Sequence, residues 1–546
     1  MRKINKEFIL IFLIVILGAF LRFYNLNWDE GNSFHPDERN IAASVSRIKF
    51  PDKLNPEFFA YGTLPIYVYR FAGNVLLKIT NNTSWNYEWG NINLVGRFFS
   101  ALFSTLSIPL VYLIGKRIFN KYVGLLSAFF FSFCVGVIQT AHFAVTESIL
   151  IFSVSIIALV SLSVLEDPAK KFYYWILGGI FGTSLASKIS SVSFLIIPLT
   201  SFFLVFGNGH KRRERIFVVL TFFAFSLLIF LILNPYTVLQ FEKFIESMKY
   251  ESGVVTGSLP VVYTLQFEKT LPYIFQIENL SWQMGILSGF AIIGMIVIFI
   301  EGIRTKNKKY ILFSLFPILY FVYVGSWHTK FIRYMDPLLP FLSISASFFL
   351  YLLTKNFRLI GKLVSLIVIL LTIAWSIAFF SIYTREQTRI AASRWIYENI
   401  TSDSYILTEH WDDGLPVTIS SNNPGKYRIE QLTIYDEDNE GKINYLSEKL
   451  SQADFIVINS RRLYGTLIRL SDKYPITARY YTLLFSDRLG YDKVAEFQSY
   501  PKLLDFEIND DRSEETFQVY DHPKVMIFRN TKKLNKDALS KIIKNG

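Results

Sequence analysis

Residues 8–24 read FILIFLIVILGAFLRFY, and residues 28–39 read WDEGNSFHPDER. The first stretch has the length and apolar character of a helix that crosses a membrane. The second places four carboxylates and a histidine where the chain leaves that helix. Because charge at such a place is costly unless it has a use, we predict chemistry in the first polar loop of a membrane protein.

The composition of the whole chain has the same apolar character. Of 546 residues, 51% are hydrophobic and 17% are aromatic. The chain also contains many predominantly apolar stretches of eighteen or more residues. A soluble protein rarely contains so many such stretches, so we predict a polytopic α-helical membrane protein. The first segment lacks a small-residue cleavage site and is expected to be a retained helix. The single cysteine, Cys134, excludes an intrachain disulfide and CxxC-type metal sites.

Eleven membrane spans are predicted from the apolar segments of helical length. They lie at about 7–24, 93–115, 123–139, 148–165, 173–187, 189–206, 216–233, 284–302, 310–326, 337–354 and 362–381.

Basic residues predict the orientation of these spans. With eleven spans the basic clusters share one side, which the positive-inside rule assigns to the cytoplasm. The net charge of +12 is then explained without a nucleic-acid partner. We predict a plasma (inner) membrane protein with a cytoplasmic N-terminus. The clusters are Arg2, Lys3 and Lys6; Lys116, Arg117 and Lys121; Lys170 and Lys171; residues 211–215; Arg304, Lys306, Lys308 and Lys309; and Lys355, Arg358 and Lys362.

Two domains are predicted. Residues 1–381 form the transmembrane domain, whose outer loop 25–92 includes an interfacial helix over residues 63–79. Residues 382–546 form an extracytoplasmic α/β domain, because runs of strand length alternate there with helical patterns. The predicted strands are 405–408, 455–459 and a hairpin of 517–520 with 525–528, and the predicted helices are 387–399, 442–451 and 463–470.

The segment His35-Pro36-Asp37-Glu38 is the first candidate site. A carboxylate at a membrane surface, beside a second carboxylate and a histidine, can have its pKa raised by desolvation and like charge. Such a group can serve as a general base toward an attacking hydroxyl. The alternative is a helix N-terminus, with Pro36 in the first turn and the acids favoured by the helix dipole. Both interpretations can hold together.

Two further sets of polar residues interrupt the apolar segments. His142 and Glu147 lie in a turn within reach of the first loop if the helices bundle, or simply cap the next helix. Lys188 stands alone between two apolar halves, which predicts an anionic partner or a phosphate. Arg333 could neutralise a leaving phosphate, whereas Lys330 could also extend to lipid head groups.

A metal site is a separate option. His35, His142 and His328 could bind a divalent metal together with the acids. Because these residues are far apart in the sequence, we assign no metal and no other cofactor.

Taken in order, these motifs resemble the GT-C superfamily of membrane glycosyltransferases. They are similar above all to protein O-mannosyltransferases and lipid A aminoarabinose transferases, over about residues 1–380. The matching motifs are Asp37-Glu38, YGTLPIY at 61–67, GRFFS at 96–100, the turn from His142 to Glu147, and Arg333-Tyr334 followed by Pro337 and Pro340.

This resemblance implies transfer of a hexose or pentose from a polyprenyl-phosphate lipid to a hydroxyl of a protein, lipid or glycan, with inversion. It assigns catalysis to Asp37, with Glu38 beside it, and to Glu147, where relatives often have aspartate. Asp29-Glu30 is the rival acidic pair. Lys188 and Arg333 match positions that meet the donor phosphate. The implied substrate-binding residues are His35, Arg97, His142, Lys188, Lys330, Arg333 and Tyr334.

Three alternatives belong to other classes. A lipid-linked oligosaccharide polymerase or ligase shares the glycosyl chemistry. A secondary transporter would place charges at mid-membrane on broken helices, often with an inverted repeat, but the predicted spans are nearly free of acids and show no repeat. A non-catalytic envelope scaffold would tolerate Asp37→Asn.

Overall fold

The computed structural model describes residues 6–206 and 212–545. Arg2, Lys3 and Lys211 of the basic clusters lie outside these ranges. The chain divides into two compact units. The first contains the stretch ending at Asn27, together with His35–Leu259 and Lys269–Phe380; the second contains Trp28–Phe34, Pro260–Glu268 and the stretch beginning at Ser381. The sequence analysis did not predict that Trp28–Phe34 and Pro260–Glu268 belong to the second unit.

The first unit is helical. Its helices are α1 Lys6–Phe23, α2 Pro36–Arg47, α3 Thr63–Thr80, α4 Ser84–Tyr87, α5 Trp89–Ile118, α6 Lys121–Ser132, α7 Val135–Ala141, α8 Glu147–Glu166, α9 Phe172–Ser187, α10 Ile196–Val205, α11 Arg212–Leu233, α12 Tyr236–Leu239, α13 Phe241–Thr256, α14 Ile274–Met284, α15 Leu287–Thr305, α16 Lys308–Gly325, α17 Leu339–Asn356 and α18 Arg358–Phe380.

Seven helices within the described ranges are long and apolar enough to cross a membrane. The number is eight if α6 and α7, which meet at an angle of 54°, form one broken span. Of the other predicted spans, α1 carries Lys6, Glu7 and Arg22, α9 has only 16 residues, and residues 189–205 begin with a 3₁₀ turn. The chain is a multi-pass membrane protein, as predicted, while the count of eleven spans stays a prediction.

A buried arginine fixes the end of α1. The Arg22 Nε atom donates to the Ser104 hydroxyl at 2.7 Å, and the Nη atoms donate to the carbonyls of Gly18, Phe131 and Ser132 at 2.9–3.0 Å. A buried charge is tolerated when its donors are satisfied in this way. Arg22 therefore anchors the helix that leads into the first polar loop to α5 and α6.

The second unit contains a mixed five-stranded sheet, which confirms the predicted α/β class. The strand order is β2-β1-β3-β7-β4, in which β2, β1 and β3 are parallel while β7 runs antiparallel to its neighbours. The elements of this unit are α19 Thr388–Asn399, β1 Tyr405–Glu409, β2 Arg428–Leu432, α20 Glu440–Gln452, β3 Phe455–Ile458, α21 Tyr464–Leu467, α22 Pro475–Phe485, β4 Tyr491–Phe497, β5 Lys502–Leu503, β6 Phe506–Glu507, β7 Val525–Asn530 and α23 Lys536–Asn545.

The predicted hairpin of residues 517–520 with 525–528 is wrong. Strand β7 pairs with β3 and β4, and the earlier segment contains a single 3₁₀ turn, Glu515–Phe517. The chain between them is fixed by His522, whose ring nitrogens lie 2.5 Å from Asp521 and 2.6 Å from Asp510. Although burial opposes it, these two carboxylates raise the pKa of His522 to about 10. These ionic contacts depend on the tertiary structure and are not visible as a sequence pattern.

Candidate active site

The acidic segment after α1 forms the first turn of α2. Pro36 begins the helix, and the Nδ1 atom of His35 accepts a hydrogen bond from the backbone N–H of Asp37 at 3.2 Å. Burial lowers the pKa of His35 to about 3, so the imidazole is neutral and can accept this bond. The helix N-terminus that the sequence predicted as one interpretation is confirmed.

Glu38 forms a buried ion pair on one side of this helix. Its two carboxylate oxygens accept from the Nε and Nη2 atoms of Arg97 at 2.8 and 2.6 Å, and the backbone N–H of Ala144 donates to one of them at 2.6 Å. The two side chains are 0% and 1% exposed. The pair therefore ties α2 to α5 and to the turn that precedes α8.

We expect Glu38→Ala to lower the free energy of unfolding by about 3–5 kcal/mol, because it leaves the Arg97 charge buried without its carboxylate. Thermal unfolding of detergent-purified protein measures the loss. The matched control is Asp167→Asn, which breaks an ion pair whose side chains are 62% and 43% exposed and should cost no more than about 1 kcal/mol. A Glu38 variant as stable as this control would contradict the prediction.

Asp37 points to a different partner from Glu38. One of its carboxylate oxygens lies 3.2 Å from the Nη2 atom of Arg333. Burial favours a higher pKa for Asp37, but the positive charges of Arg333 and Lys188 outweigh it, and the net pKa lies below the ordinary value. This direction is opposite to the raised pKa that the sequence analysis allowed for, because that reasoning omitted the cations.

Glu147 contacts both Lys188 and Arg333. Its Oε1 atom lies 2.9 Å from the Lys188 ammonium and 3.8 Å from the Nε atom of Arg333. Arg333 therefore lies between Asp37 and Glu147. The structure groups four of the predicted site residues into one alternating cluster of charges, which we call the ionic cluster: Asp37, Glu147, Lys188 and Arg333.

Tyr61 lies beside the ionic cluster, and the next residue, Gly62, packs closely against the end of α9. The Lys188 ammonium lies 5.0 Å from the centre of the Tyr61 ring. The next residue, Gly62, donates its N–H to the Ser187 carbonyl at 3.0 Å, and a Cβ atom there would lie 1.8 Å from the Ala186 carbonyl oxygen. Only glycine permits this approach to the end of α9. Tyr61 and Gly62 belong to the YGTLPIY motif, but Tyr61 was not among the predicted site residues.

Glu251 is a second residue that the sequence analysis missed. It lies on α13 and lines the same cavity as Glu147, Lys188 and Arg333. Burial raises the pKa of the Glu251 carboxyl, although the charges of Lys188 and Arg333 oppose the shift. Several other acidic and basic residues occur along this helix, so nothing in the sequence distinguished Glu251 from them.

A cavity of about 460 Å³ extends from the ionic cluster. Glu147, Lys188, Glu251 and Arg333 supply its charged part, and Tyr334 is also part of its wall. The rest of the wall is mainly apolar and includes Ile189, Val192, Ile196, Leu150, Val324 and Trp327. The cavity can therefore receive a molecule that combines a charged head with an apolar chain.

Three predicted binding residues have other contacts. The ring nitrogens of His142 lie 2.8 and 2.9 Å from the carbonyl oxygens of Ile138 and Tyr24. Arg97 is occupied by Glu38. Lys330 is 2% exposed and donates to the His328 carbonyl at 2.8 Å, so it does not extend to lipid head groups. These contacts shape the region around the ionic cluster.

The rival acid, Asp29, has both carboxylate oxygens in hydrogen bonds of its own loop. They accept from the backbone N–H groups of Gly31 and Ser33 at 3.1 and 2.9 Å. The described ranges contain no group of three or more His, Cys, Asp or Glu side chains that could hold a metal ion. The optional site of His35, His142 and His328 is therefore not assembled within them.

The chain has the fold of the GT-C membrane glycosyltransferases, as the sequence resemblance predicted. Residues 89–237 match the family model for dolichyl-phosphate-mannose-protein mannosyltransferases. No curated protein matches the chain in sequence.

Two solved structures with TM-scores above 0.5 share the fold of this chain, and a third structure is also similar to it. The oligosaccharyltransferase of Archaeoglobus fulgidus in its apo form is 14% identical over 93% of this chain and 76% of its own, with a TM-score of 0.55. The oligosaccharyltransferase AglB of the same organism, in complex with an inhibitory peptide and a dolichol-phosphate, is 13% identical over 92% and 75%, with a TM-score of 0.54. ArnT from Cupriavidus metallidurans bound to undecaprenyl phosphate is 12% identical over 96% and 98%, with a TM-score of 0.49.

Proposed function

We propose that this protein transfers a sugar from a polyprenyl-phosphate-linked donor to an acceptor hydroxyl on the extracytoplasmic face of the membrane. The observation that carries the proposal is that Glu147, Lys188 and Arg333 line the charged part of a cavity whose remaining wall is mainly apolar. Asp37 does not line the cavity and contacts it through Arg333. An isoprenoid chain fits the apolar wall, and a phosphate fits the cations Lys188 and Arg333.

In the proposed reaction, Asp37 takes the proton of the acceptor hydroxyl. The acceptor oxygen then forms a bond to the anomeric carbon while the bond from that carbon to the phosphate oxygen breaks, which inverts the configuration. The electron pair passes to the phosphate, whose added negative charge Lys188 and Arg333 stabilise. Glu147 contacts both cations and so helps to position them.

The charges of the site favour a monophosphate donor. Two cations face the cavity, and both are already shared with carboxylates. A lipid pyrophosphate, which an oligosaccharide polymerase or ligase would use, brings more negative charge to the same two cations.

The direct test is transfer of a labelled sugar by purified protein from hexosyl and pentosyl polyprenyl monophosphates. Peptide, lipid and glycan acceptors are offered in turn, and the anomeric configuration of the product is determined. Transfer with inversion supports the proposal. Transfer from a lipid pyrophosphate alone would replace it by the polymerase or ligase function, and no transfer from any donor would overturn it.

The Asp37–Arg333 contact predicts a particular pH dependence. A bound phosphate takes part of the Arg333 charge, so the pKa of Asp37 should be higher in the donor complex than in the free enzyme. We expect the acid limb of kcat, which reports the complex, at higher pH than the acid limb of kcat/KM, which reports the free enzyme. Coincident limbs in the two profiles would contradict this expectation.

A further inference from the structure

The second unit includes a short fixed loop that leads directly into α2. This loop, Trp28–Phe34, is held in shape by the Asp29 carboxylate through the two hydrogen bonds described above. Glu30, Gly31 and Ser33 have φ values of 49°, 83° and 58°. Non-glycine residues adopt such backbone angles only where the surrounding structure imposes them.

Phe34, the last residue of this loop, is held by Arg389. The Phe34 ring is 2% exposed, and the guanidinium carbon of Arg389 lies 5.1 Å from its centre. The Trp28 ring lies against the Phe34 ring, with centroids 6.5 Å apart. A buried cation over an aromatic face is a favourable contact that also fixes the orientation of the ring.

Arg389 is itself fixed within the second unit. It lies on α19, its side chain is 1% exposed, and its Nη2 atom lies 3.0 Å from Asp412 and 3.6 Å from Asp413. The Nη1 atom donates to the Tyr520 carbonyl at 3.4 Å. The guanidinium is therefore a rigid support for the loop.

Only His35 and Pro36 separate Phe34 from Asp37. On the other side of Asp37, Glu38 is locked to Arg97. The segment that carries the proposed base is therefore held by one buried arginine before it and by another after it.

The same unit also fixes the chain that follows α13. Arg469 donates to the carbonyls of Gln266 and Glu268, and Lys473 lies 3.1 Å from the Glu268 carboxylate. The segment Pro260–Glu268 begins nine residues after Glu251. The segments that carry Asp37 and Glu251 are thus each continuous with a short stretch that belongs to the second unit.

We propose that Arg389 is a positioning residue for sugar transfer, which orders the chain entering α2 through Phe34 and so keeps the Asp37 carboxylate in its productive place. The inference rests on the proposed function. A displacement of about 1 Å in a reacting group can cost about 10²-fold in rate.

The test compares Arg389→Met and Arg389→Lys with Arg394→Met in the full-length protein. Arg394 lies on the same helix, is 50% exposed and pairs with Glu386. We expect Arg389→Met to lower kcat by about 10- to 100-fold with an unchanged KM for the donor. Arg389→Lys keeps a cation near Phe34 and Asp412 and should recover part of kcat, and Arg394→Met should behave as wild type.

Hydrogen exchange supplies a readout that does not depend on activity. In Arg389→Met the amides of residues 28–38 should exchange faster than in wild type, while α5, α8 and α17 keep their protection. Phe34→Leu, which removes the ring from the other side of the contact, should give the same pattern.

Three outcomes decide the inference. Unchanged exchange at residues 28–38 in both variants would overturn it. A fall in thermal stability with an unchanged kcat of the folded fraction would also overturn it, since Arg389 would then be purely structural. If the wild type transferred no sugar, the proposed function would fail, while faster local exchange would still support the hold of Arg389 on this segment.

Discussion

Replacement of Asp37 by asparagine is expected to lower sugar transfer by about 10²- to 10⁴-fold, the usual contribution of a general base. Asparagine has nearly the same size and shape as aspartate. It cannot take the proton of the acceptor hydroxyl. The variant should therefore fold and bind donor while losing the chemical step.

The donor affinity gives this prediction a second readout. Asp37 lies 3.2 Å from Arg333, so under the proposed function it would compete with the donor phosphate for this arginine. Removal of the Asp37 charge leaves Arg333 more available, so the KM for the donor should stay the same or fall. A raised KM with an unchanged kcat would instead make Asp37 a binding residue.

Asp52→Asn is the matched control, because Asp52 is an exposed acid of the same outer loop. It should transfer sugar at the wild-type rate. Equal transfer by wild type, Asp37→Asn and Asp52→Asn would move the base to Glu147 or Asp29. Such a result would separate the identity of the base from the glycosyltransferase activity itself.

The neighbours Asp37 and Glu38 show which features of the site could be predicted from the sequence. The sequence predicted an acidic helix N-terminus after the first span, and this is confirmed. It treated the two acids as one pair, however. Successive residues on a helix point about 100° apart, so Glu38 meets Arg97 and Asp37 meets Arg333. Which arginine each acid meets depends on helix packing, which no local pattern encodes.

The sequence likewise predicted the contacts of Lys188 better than those of Lys330 and Arg333. Lys330 and Arg333 are three residues apart and resemble each other in the sequence. In the structure Lys330 is buried against the His328 carbonyl, whereas Arg333 joins the ionic cluster. Lys188 was expected to have an anionic partner, and that partner is Glu147. A solitary charge in an apolar segment is a strong signal, while a charge in a polar loop is not.

Replacement of Arg333 by methionine is expected to lower kcat by about 10²- to 10³-fold, since electrostatic stabilisation by one preorganised donor is commonly worth that much. Arg333 is the cation that lies between Asp37 and Glu147, so it can follow the phosphate as charge develops there. The Lys188 ammonium, by contrast, pairs with the Glu147 carboxylate at 2.9 Å. We therefore expect a smaller loss for Lys188→Met than for Arg333→Met.

The conservative variant Arg333→Lys should recover only part of the lost rate. A planar guanidinium can bind two phosphate oxygens at once, and an ammonium cannot do so with the same geometry. Arg304→Met is the matched control, because its side chain is 77% exposed. Inhibition by free polyprenyl phosphate measures the same contact without the chemical step. Weaker inhibition of Arg333→Met than of Arg304→Met would place the arginine at the phosphate, while equal inhibition together with a reduced kcat would make Arg333 a partner of Asp37 only.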